Sequence, residues 1–399
     1  IDCYIDSIIY KNFYYEIIIK KNVKKLDFIE KRIVFFGNSD SGKSTLISIL
    51  CGNDYDNGSG SARLSLFNHK HEMFTGITSS ISIQTFDKNN KKIALIDLPG
   101  KNKYKKTKYY GLLSYDPELA IIVLDNNTTI KNIKHIYLIL RFLNIPIQFV
   151  KTKDDLIDPI KNINLPEIDQ LISVSCVDGS NIELLKERIS KDYTILINNK
   201  DNKDKKDKYL SESLLDNATI FQISEVYYLT DLGLIVSGIL LSGELETMMK
   251  MKLGPFTNEN KYYDIIISSI HCYQTPYNKL IQDHIGTIVI KFKNSKINIK
   301  DIYNKISKNC YLSNYELYLN DIVHCKIKYL SDNRLKDNKK IMIYLRNNIV
   351  EGEILELDNI IDDKFDIKCK IKLNKFTFIK TFDKFIFDNG IYKGFGLIY

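Results

Sequence analysis

A parallel α/β domain followed by antiparallel β-barrels is the fold class that this 399-residue sequence predicts, on three observations. Over roughly the first half of the chain, short β-branched runs alternate with helical stretches, as they do in parallel α/β domains. A G-x-x-x-x-G-K-[ST] pattern at Gly37–Ser44 lies between one such run and a helical stretch. Beyond about Ile220, short alternating runs are separated by Asn, Asp, Gly and Ser clusters, and helix-period stretches are few. At ~150 residues per domain, the length agrees with two or three domains.

Taken in order, Lys31–Phe36 (KRIVFF), Ile93–Asp97 (IALID), Leu119–Asp125 (LAIIVLD), Pro146–Val150 (PIQFV) and Leu171–Ser175 (LISVS) are expected to be buried strands. Lys43–Leu50, Tyr104–Ser114, Lys131–Leu143 and Ser180–Ile189 are the expected helices between them. Ser80–Phe86 (SISIQTF) alternates apolar and polar residues, so an edge strand with one wet face is expected, completing a six-stranded layout over residues 28–196. Lys200–Lys208 (KDNKDKKDK) is charged at nearly every position and cannot bury itself, which makes 197–216 a linker. The remainder predicts one or two antiparallel barrels, with a weakly marked break at Asn294–Lys300.

Composition excludes several classes. With 57 Lys+Arg against 49 Asp+Glu, 27% charged and 44% hydrophobic residues, the chain is an ordinary globular mixture. Its 18 Gly and 7 Pro are too few for a collagenous or low-complexity chain. The longest clean apolar stretch, Leu232–Leu241, is about half of the ~20 residues that span a bilayer, so no membrane partner is expected. The first residue is Ile, so a trimmed fragment is expected, and a removed targeting segment stays open. Seven scattered cysteines form no C-x-x-C pair, and reduced thiols in a cytoplasmic protein are expected. A net charge of +8 permits an RNA partner without demanding one.

The chemistry gathers on a few short segments. In the first, Gly37, Asn38, Ser39, Asp40, Ser41, Gly42, Lys43, Ser44 and Thr45 follow a strand and open a helix. Such a loop turns its backbone N–H groups on phosphates, reaches the β- and γ-phosphates with Lys43 and offers the Ser44 hydroxyl to Mg²⁺. Asp97-Leu98-Pro99-Gly100 ends a strand, where Asp97 can hold the magnesium shell and Gly100 can offer its N–H to the γ-phosphate. After the fifth strand, Thr152-Lys153-Asp154-Asp155 gives Asp155 the chance to accept from guanine N1–H and its amino group, with Lys153 along the base. Ser175-Cys176-Val177 would bring a backbone N–H to the guanine O6. Together, in this order, these segments point to GTP rather than ATP. Thr78, in the segment Ser61–Ile83, is the candidate for magnesium and γ-phosphate contact. His69 and His71, two apart, would face different sides of a helix, and they are expected to be surface or loop residues rather than metal ligands.

These segments resemble the translational GTPases of the elongation factor Tu and elongation factor 1-alpha superfamily. The likeness is strongest to the branch called GTP-binding proteins 1 and 2, with a similar ARLSLFNHKHEMFTGITSS segment and TKxD in place of NKxD. It continues in Phe221–Gly243, with glycines at Gly233, Gly238 and Gly243, and in Phe387–Ile398 near the end. The resemblance implies two barrels, at 217–296 and 297–399. It implies a monomer that binds GTP or GDP with Mg²⁺, and through them aminoacyl-tRNA and the ribosome, but not DNA. The family pattern carries a water-orienting histidine after DxPG, where this chain has Lys101. The family valine before Asp40 is Ser39, the facing Ile77 is retained, and an arginine expected after Gly390 is Ile391. Lys101 and Thr78 are therefore the catalytic candidates, and binding is better supported than hydrolysis. The alternative is an adaptor that binds GTP without useful hydrolysis. Lys101, Lys103, Lys105, Lys106 and Lys108 form a basic stretch suited either to a solvated helix face or to RNA phosphates.

Overall fold

The computed structural model describes residues 3–11, 14–21, 28–67, 69–75, 77–125, 128–153, 165–191, 218–256, 261–294, 297–306, 310–331, 333–336, 339–359 and 365–399. The expected linker and Asp155 lie outside the described residues. The chain forms two compact units, Ile1–Asp27 with Asn217–Leu317 and Phe28–Asp216 with Tyr318–Tyr399. In the first, β1 (Cys3–Lys11) and β2 (Tyr14–Lys21) form an antiparallel hairpin.

The α/β part of the other unit is one six-stranded sheet. Its strands are β3 (Ile29–Phe36), β4 (Ser82–Lys88), β5 (Lys91–Asp97), β6 (Leu119–Leu124), β7 (Ile147–Lys151) and β8 (Ile172–Ser173), in the order β4-β5-β3-β6-β7-β8. All neighbours are parallel except β4, which runs antiparallel to β5 at the edge. The continuous apolar runs have their reason here, because strands covered on both faces leave no wet side. Ile33–Phe36, Ile93–Ile96 and all of β6 are buried. Each such Leu, Ile or Val contributes about 1.5–3 kcal/mol of burial. The helices among the described residues are α1 (Lys43–Leu50), α2 (Lys70–Thr75), α3 (Lys105–Ser114), α4 (Ile130–Leu143) and α5 (Ile182–Ser190). In α4, buried Ile133, Tyr137 and Leu140 mark the inward stripe, and Asn144 ends the helix at a left-handed φ of 61°. The short α2 lies inside a segment for which the sequence gives no helical period.

The first barrel is a ring of six antiparallel strands. β9 (Ile220–Leu229), β10 (Gly233–Ser242), β12 (Lys250–Phe256), β13 (Lys261–Cys272), β16 (Ile285–Phe292) and β17 (Tyr311–Ser313) close in the order β12-β17-β9-β10-β16-β13, with β13 pairing back to β12. β14 (Thr275–Tyr277) adds to β13, and β11 (Glu244–Glu246) pairs separately with β15 (Lys279–Ile281). Gly238 has no room for a side chain, since a Cβ there would strike the Gln222 carbonyl of β9. The boundary expected between 296 and 297 is corrected to Leu317/Tyr318. After α6 (Ile299–Lys305), β17 returns to pair with both β9 and β12, and without it the ring would stand open.

The second barrel is also a closed antiparallel ring. It runs β18-β21-β20-β19-β22-β23, with β23 pairing back to β18. Its strands are β18 (Leu319–Tyr329), β19 (Lys340–Leu345), β20 (Asn348–Asn359), β21 (Ile367–Phe378), β22 (Lys384–Asp388) and β23 (Lys393–Ile398). Ile327, Ile343, Ile354, Ile371, Phe385 and Phe387 fill it. Cys325 and Cys369 face each other across β18 and β21 with sulfurs 3.3 Å apart, and the described cysteine side chains are all free thiols.

This barrel docks on the α/β part through α3 and α4. Asp388 at the end of β22 is buried, accepts from Lys105 Nζ at 2.6 Å and from the Tyr109 hydroxyl at 3.3 Å. The Tyr109 ring meets Tyr344 edge-on at 5.1 Å, and Phe142 stacks on Phe395 at 4.1 Å. Lys384 donates to the Phe142 carbonyl at 2.8 Å.

Candidate functional site

The turn from β3 into α1 is built from conformations that side chains resist. Gly42 caps α1 with a left-handed φ of 84°, and Asp40 holds a φ of 63°. The loop is pinned from outside by Thr152, whose hydroxyl donates to the Ser41 carbonyl at 2.6 Å, while its backbone N–H donates to the Leu124 carbonyl at 3.0 Å. Thr152 is buried, so this bond is shielded from water. The TKxD threonine thus joins the end of β7 to the phosphate-loop backbone.

Three oxygen-bearing side chains from three segments converge beside the loop. Ser44 opens α1, Asp97 ends β5 and Thr78 follows α2. The Ser44 hydroxyl lies 2.6 Å from Asp97 Oδ2 and 3.0 Å from Thr78 Oγ1, and Thr78 Oγ1 lies 3.5 Å from Asp97 Oδ2. The other Asp97 oxygen, Oδ1, is buried with no hydrogen-bond partner among the described residues. Burial pushes the Asp97 carboxyl up, while Lys43 and the Ser44 and Thr78 hydroxyls pull it back. Lys43 donates to the Asn38 carbonyl at 2.7 Å, and burial lowers its pKa against the pull of Asp97, Asp40 and Asp125. A small cleft opens here, lined by Ser39, Asp40, Gly42, Lys43, Ser44, Thr45, Ile77, Thr78 and Gly100. Gly100 presses on the loop so closely that a Cβ would lie 2.6 Å from Ser39 N.

The two segments expected at the base also meet. Val174 N–H donates to the Lys151 carbonyl at 2.8 Å, bringing the turn at Ser175 beside the end of β7. Lys153 follows Thr152 at a left-handed φ of 59°. Ser175 is buried and its hydroxyl accepts from Val177 N–H at 3.3 Å, while the Cys176 carbonyl accepts from Asp56 N–H at 2.9 Å.

The family model described as the elongation factor Tu GTP binding domain matches residues 30–273, more than half of the chain. The chain belongs to the elongation factor Tu GTP-binding family. GTP-binding protein 2 of Homo sapiens is 28% identical over 314 residues, covering 64% of this chain and 50% of its own. GTP-binding protein 1 of Xenopus laevis is 27% identical over 336 residues, covering 69% and 49%. The chain thus spans about half the length of the curated relatives it matches. Among solved structures, a bacterial selenocysteine-specific elongation factor EF-Sec aligns with a TM-score of 0.68 at 18% identity, over 94% of this chain and 58% of its own. The S. cerevisiae Ski7 GTPase-like domain, bound to GTP, aligns at 0.70 and 15% identity, over 93% and 97%. At these identities the solved structures establish the shared fold.

Several features of this family member were not legible in the motifs. Arg63, on the 3-10 turn Ser61–Leu66, joins the cleft wall, with Nη1 3.9 Å from Asp40 Oδ1. Glu72 on α2 is buried and accepts from Ser79 N–H at 2.6 Å, Ser80 N–H at 2.9 Å and both hydroxyls at 2.7 and 3.0 Å. It also accepts from His69 N–H at 3.1 Å, the reach from N3 back to the N-cap that forms one half of a capping box. Burial alone would raise the Glu72 carboxyl, but the hydrogen bonds from Ser79 and Ser80 overcome it and hold the group at about 2. The acid three residues after the N-cap was the available signal. His69 and His71 are both exposed, as expected of surface or loop residues, but they do not point apart: the rings stack 5.4 Å from each other, with His69 preceding the helix and only His71 on it.

The basic stretch does not form one face. Lys105 is paired with Asp388, and Lys108 turns inward to the Gly100 carbonyl at 3.4 Å. Lys103 lies over the Tyr104 ring and is exposed with Lys106. Lys101 stands half-buried at the start of the 3-10 turn Asn102–Tyr104, outside the lining of the cleft, and has no side-chain partner among the described residues. Among the described residues no helix is long and apolar enough to cross a membrane.

Proposed function

We propose that this member of the family is a guanine-nucleotide switch that binds GTP and GDP with Mg²⁺ and hydrolyses GTP slowly. The convergence of the Ser44 and Thr78 hydroxyls on the Asp97 carboxylate, beside Lys43, is the observation that carries this reading. These are hard oxygen donors, and a buried Asp97 oxygen without a partner suits a cation that keeps part of its water shell. Ser44 and Thr78 would hold the ion with Asp97 behind them, and the ion would neutralise charge on the phosphates. Lys43 and the Gly37–Ser44 backbone would bind the phosphates, with Gly100 at the terminal one. Thr152 holds the loop in that shape. Asp155, Lys153 and the Ser175–Val177 turn would select guanine. On the likeness to elongation factors, we take the ribosome and aminoacyl-tRNA as its partners and the cytoplasm as its location.

Slow hydrolysis follows from Lys101. A protonated lysine donates but does not accept, so it cannot take a proton from the attacking water. Lys101 also stays out of the cleft wall, while Ser39 occupies a place that the family fills with an apolar side chain. Losing a water-orienting group removes roughly 10²–10⁴ in rate. Single-turnover hydrolysis of GTP, with and without ribosomes, tests this. We expect tight binding, slow turnover and a rise in ribosome-stimulated rate for the double variant Lys101→His, Ser39→Val. Turnover abolished by Lys101→Ala with binding intact would make Lys101 itself catalytic and overturn the reading. The same two residues favour the second reading, an adaptor gated by bound GTP, for which turnover stays absent under every condition.

A further inference from the structure

Arg63 is the one guanidinium of the cleft wall among the described residues, and the proposed chemistry gives it no part. The chain fixes its position from several sides. The buried carboxylate of Asp56 accepts from the N–H groups of Gly58 at 3.0 Å, Gly60 at 3.0 Å and Ala62 at 3.1 Å. The Ala62 carbonyl accepts from the Ser48 hydroxyl of α1 at 2.5 Å, so the residue before Arg63 is tied to the helix that Lys43 opens. Asp56 N–H donates to the Cys176 carbonyl, which joins this loop to the turn expected at the base. Gly60, at a left-handed φ of 85°, leaves room for the arginine, since a Cβ there would lie 2.7 Å from Arg63 Nε.

The guanidinium so placed has donors to spare. It carries five N–H groups, and none has an acceptor within hydrogen-bond reach among the described residues. Asp40 Oδ1 stands 3.9 Å from Nη1, and the Asp40 side chain is 69% exposed. So loose and wet a pair contributes little, and it does not account for a loop anchored this firmly. Gly100 packs against Ser39, the residue before Asp40, so Gly100 and Arg63 approach consecutive residues of the phosphate loop. The guanidinium therefore stands beside the end of the cleft assigned to the terminal phosphate, and its planar fork of donors matches phosphate oxygens. The competing account is that Arg63 only braces Asp40. A brace would hold the loop alike before and during reaction, whereas a phosphate contact would strengthen as charge moves.

We propose that Arg63 is a catalytic residue of GTP hydrolysis, a guanidinium supplied in cis that stabilises the negative charge moved onto the leaving GDP. The proposal rests on the assignment of the cleft as a guanine-nucleotide phosphate site. In the reaction the water oxygen bonds to the γ-phosphorus, and the bond from that phosphorus to the bridging oxygen breaks. The electron pair of the broken bond stays on GDP, and both water protons leave with the inorganic phosphate as H₂PO₄⁻. Arg63 donates to the phosphate oxygens as that charge builds and has no proton to accept. Its contribution is separate from orienting the water, so slow turnover persists with Lys101 outside the cleft wall.

Single-turnover hydrolysis of GTP by the full chain with Mg²⁺, beside calorimetric titration with the imido analogue of GTP, tests the idea. Arg63→Met is expected to slow hydrolysis by roughly 10³-fold, the low end of what such an arginine supplies, with affinity for the analogue lowered no more than about tenfold. Arg63→Lys, which keeps the charge without the paired donors, should fall between the two. Uptake of aluminium fluoride by the GDP-bound chain, a mimic of the transferring group, reads the same contact without turnover and should be lost in Arg63→Met. Hydrolysis unchanged in Arg63→Met, or rate and affinity lost in equal measure, would overturn the proposal and leave Arg63 as a brace. Should Arg63→Met fail to fold by thermal melting, Arg63→Gln and the lysine variant carry the same comparison. A wild-type chain that binds GTP but neither turns it over nor takes up aluminium fluoride overturns the catalytic role alone. One that binds no guanine nucleotide overturns the assignment of the cleft itself, a result visible before any variant is made.

Discussion

Ser44 donates its hydroxyl to Asp97 at 2.6 Å, so the residue assigned to the metal is oriented by the carboxylate assigned to stand behind it. Replacing it by alanine should weaken binding of Mg²⁺-GTP by roughly tenfold or more, the scale of one contact to a charged group, and weaken metal-free GTP much less. Equal losses with and without magnesium, measured by nucleotide fluorescence, would count against the assignment. Asp155 is tested by the base it selects. Asp155→Asn should lose GTP and gain xanthosine triphosphate, because the amide donates where the carboxylate accepted. A variant that keeps its preference for GTP would remove Asp155 from the base site. Residues such as Ser44 and Asp97 were legible because each belongs to a short contiguous motif whose spacing is set by the phosphate. Arg63 was not, since nothing marks the one arginine of the cleft wall among 57 basic residues.

Between residues and the fold stand the segments that carry Thr78 and Gly100. Glu72 gathers the N–H groups and hydroxyls of both Ser79 and Ser80, and so fixes the chain just after Thr78. Glu72→Ala leaves those donors unpaired and should cost this segment about 1–3 kcal/mol, read as faster hydrogen exchange at the Ser79 and Ser80 amides. Unchanged exchange would mean that other contacts hold the segment. The pH dependence has a definite sign. An unfolded glutamate titrates near ~4.3, and Glu72 in the folded chain is held at about 2. Its contribution is complete above ~4.3 and is lost as pH falls through about 2. The elements that the sequence exposes best are the central strands, where burial on both faces demands unbroken runs such as LAIIVL in β6. Six-residue α2 was hidden because one and a half turns show no period. Three-residue β17 was hidden likewise, and the barrel boundary was misplaced for that reason.

At the scale of the molecule, one buried carboxylate joins the α/β part to the second barrel. Asp388→Ala removes the acceptor of both Lys105 and Tyr109. A fully buried broken pair costs ~3–5 kcal/mol, and with Lys105 still partly in water about 1–3 kcal/mol is expected. Urea unfolding measures it, and an unaltered midpoint would show that ring packing alone carries the docking. Two barrels and a parallel sheet were legible in outline, because strand length, alternation and turn residues are local. The docking was not, since Lys105 and Asp388 stand 283 positions apart. That separation has a consequence for time rather than for space. A chain made from its N-terminal side completes α3 and α4 long before β22 and β23 exist, so Phe142 and Tyr109 wait uncovered while the whole first barrel is being synthesised. β22 and β23 thus seal a domain whose own strands and helices were made well before them. A chain stopped after Phe382 should keep a folded sheet yet bind a hydrophobic dye, and dye binding equal to that of the full chain would show that the early domain needs no such cover.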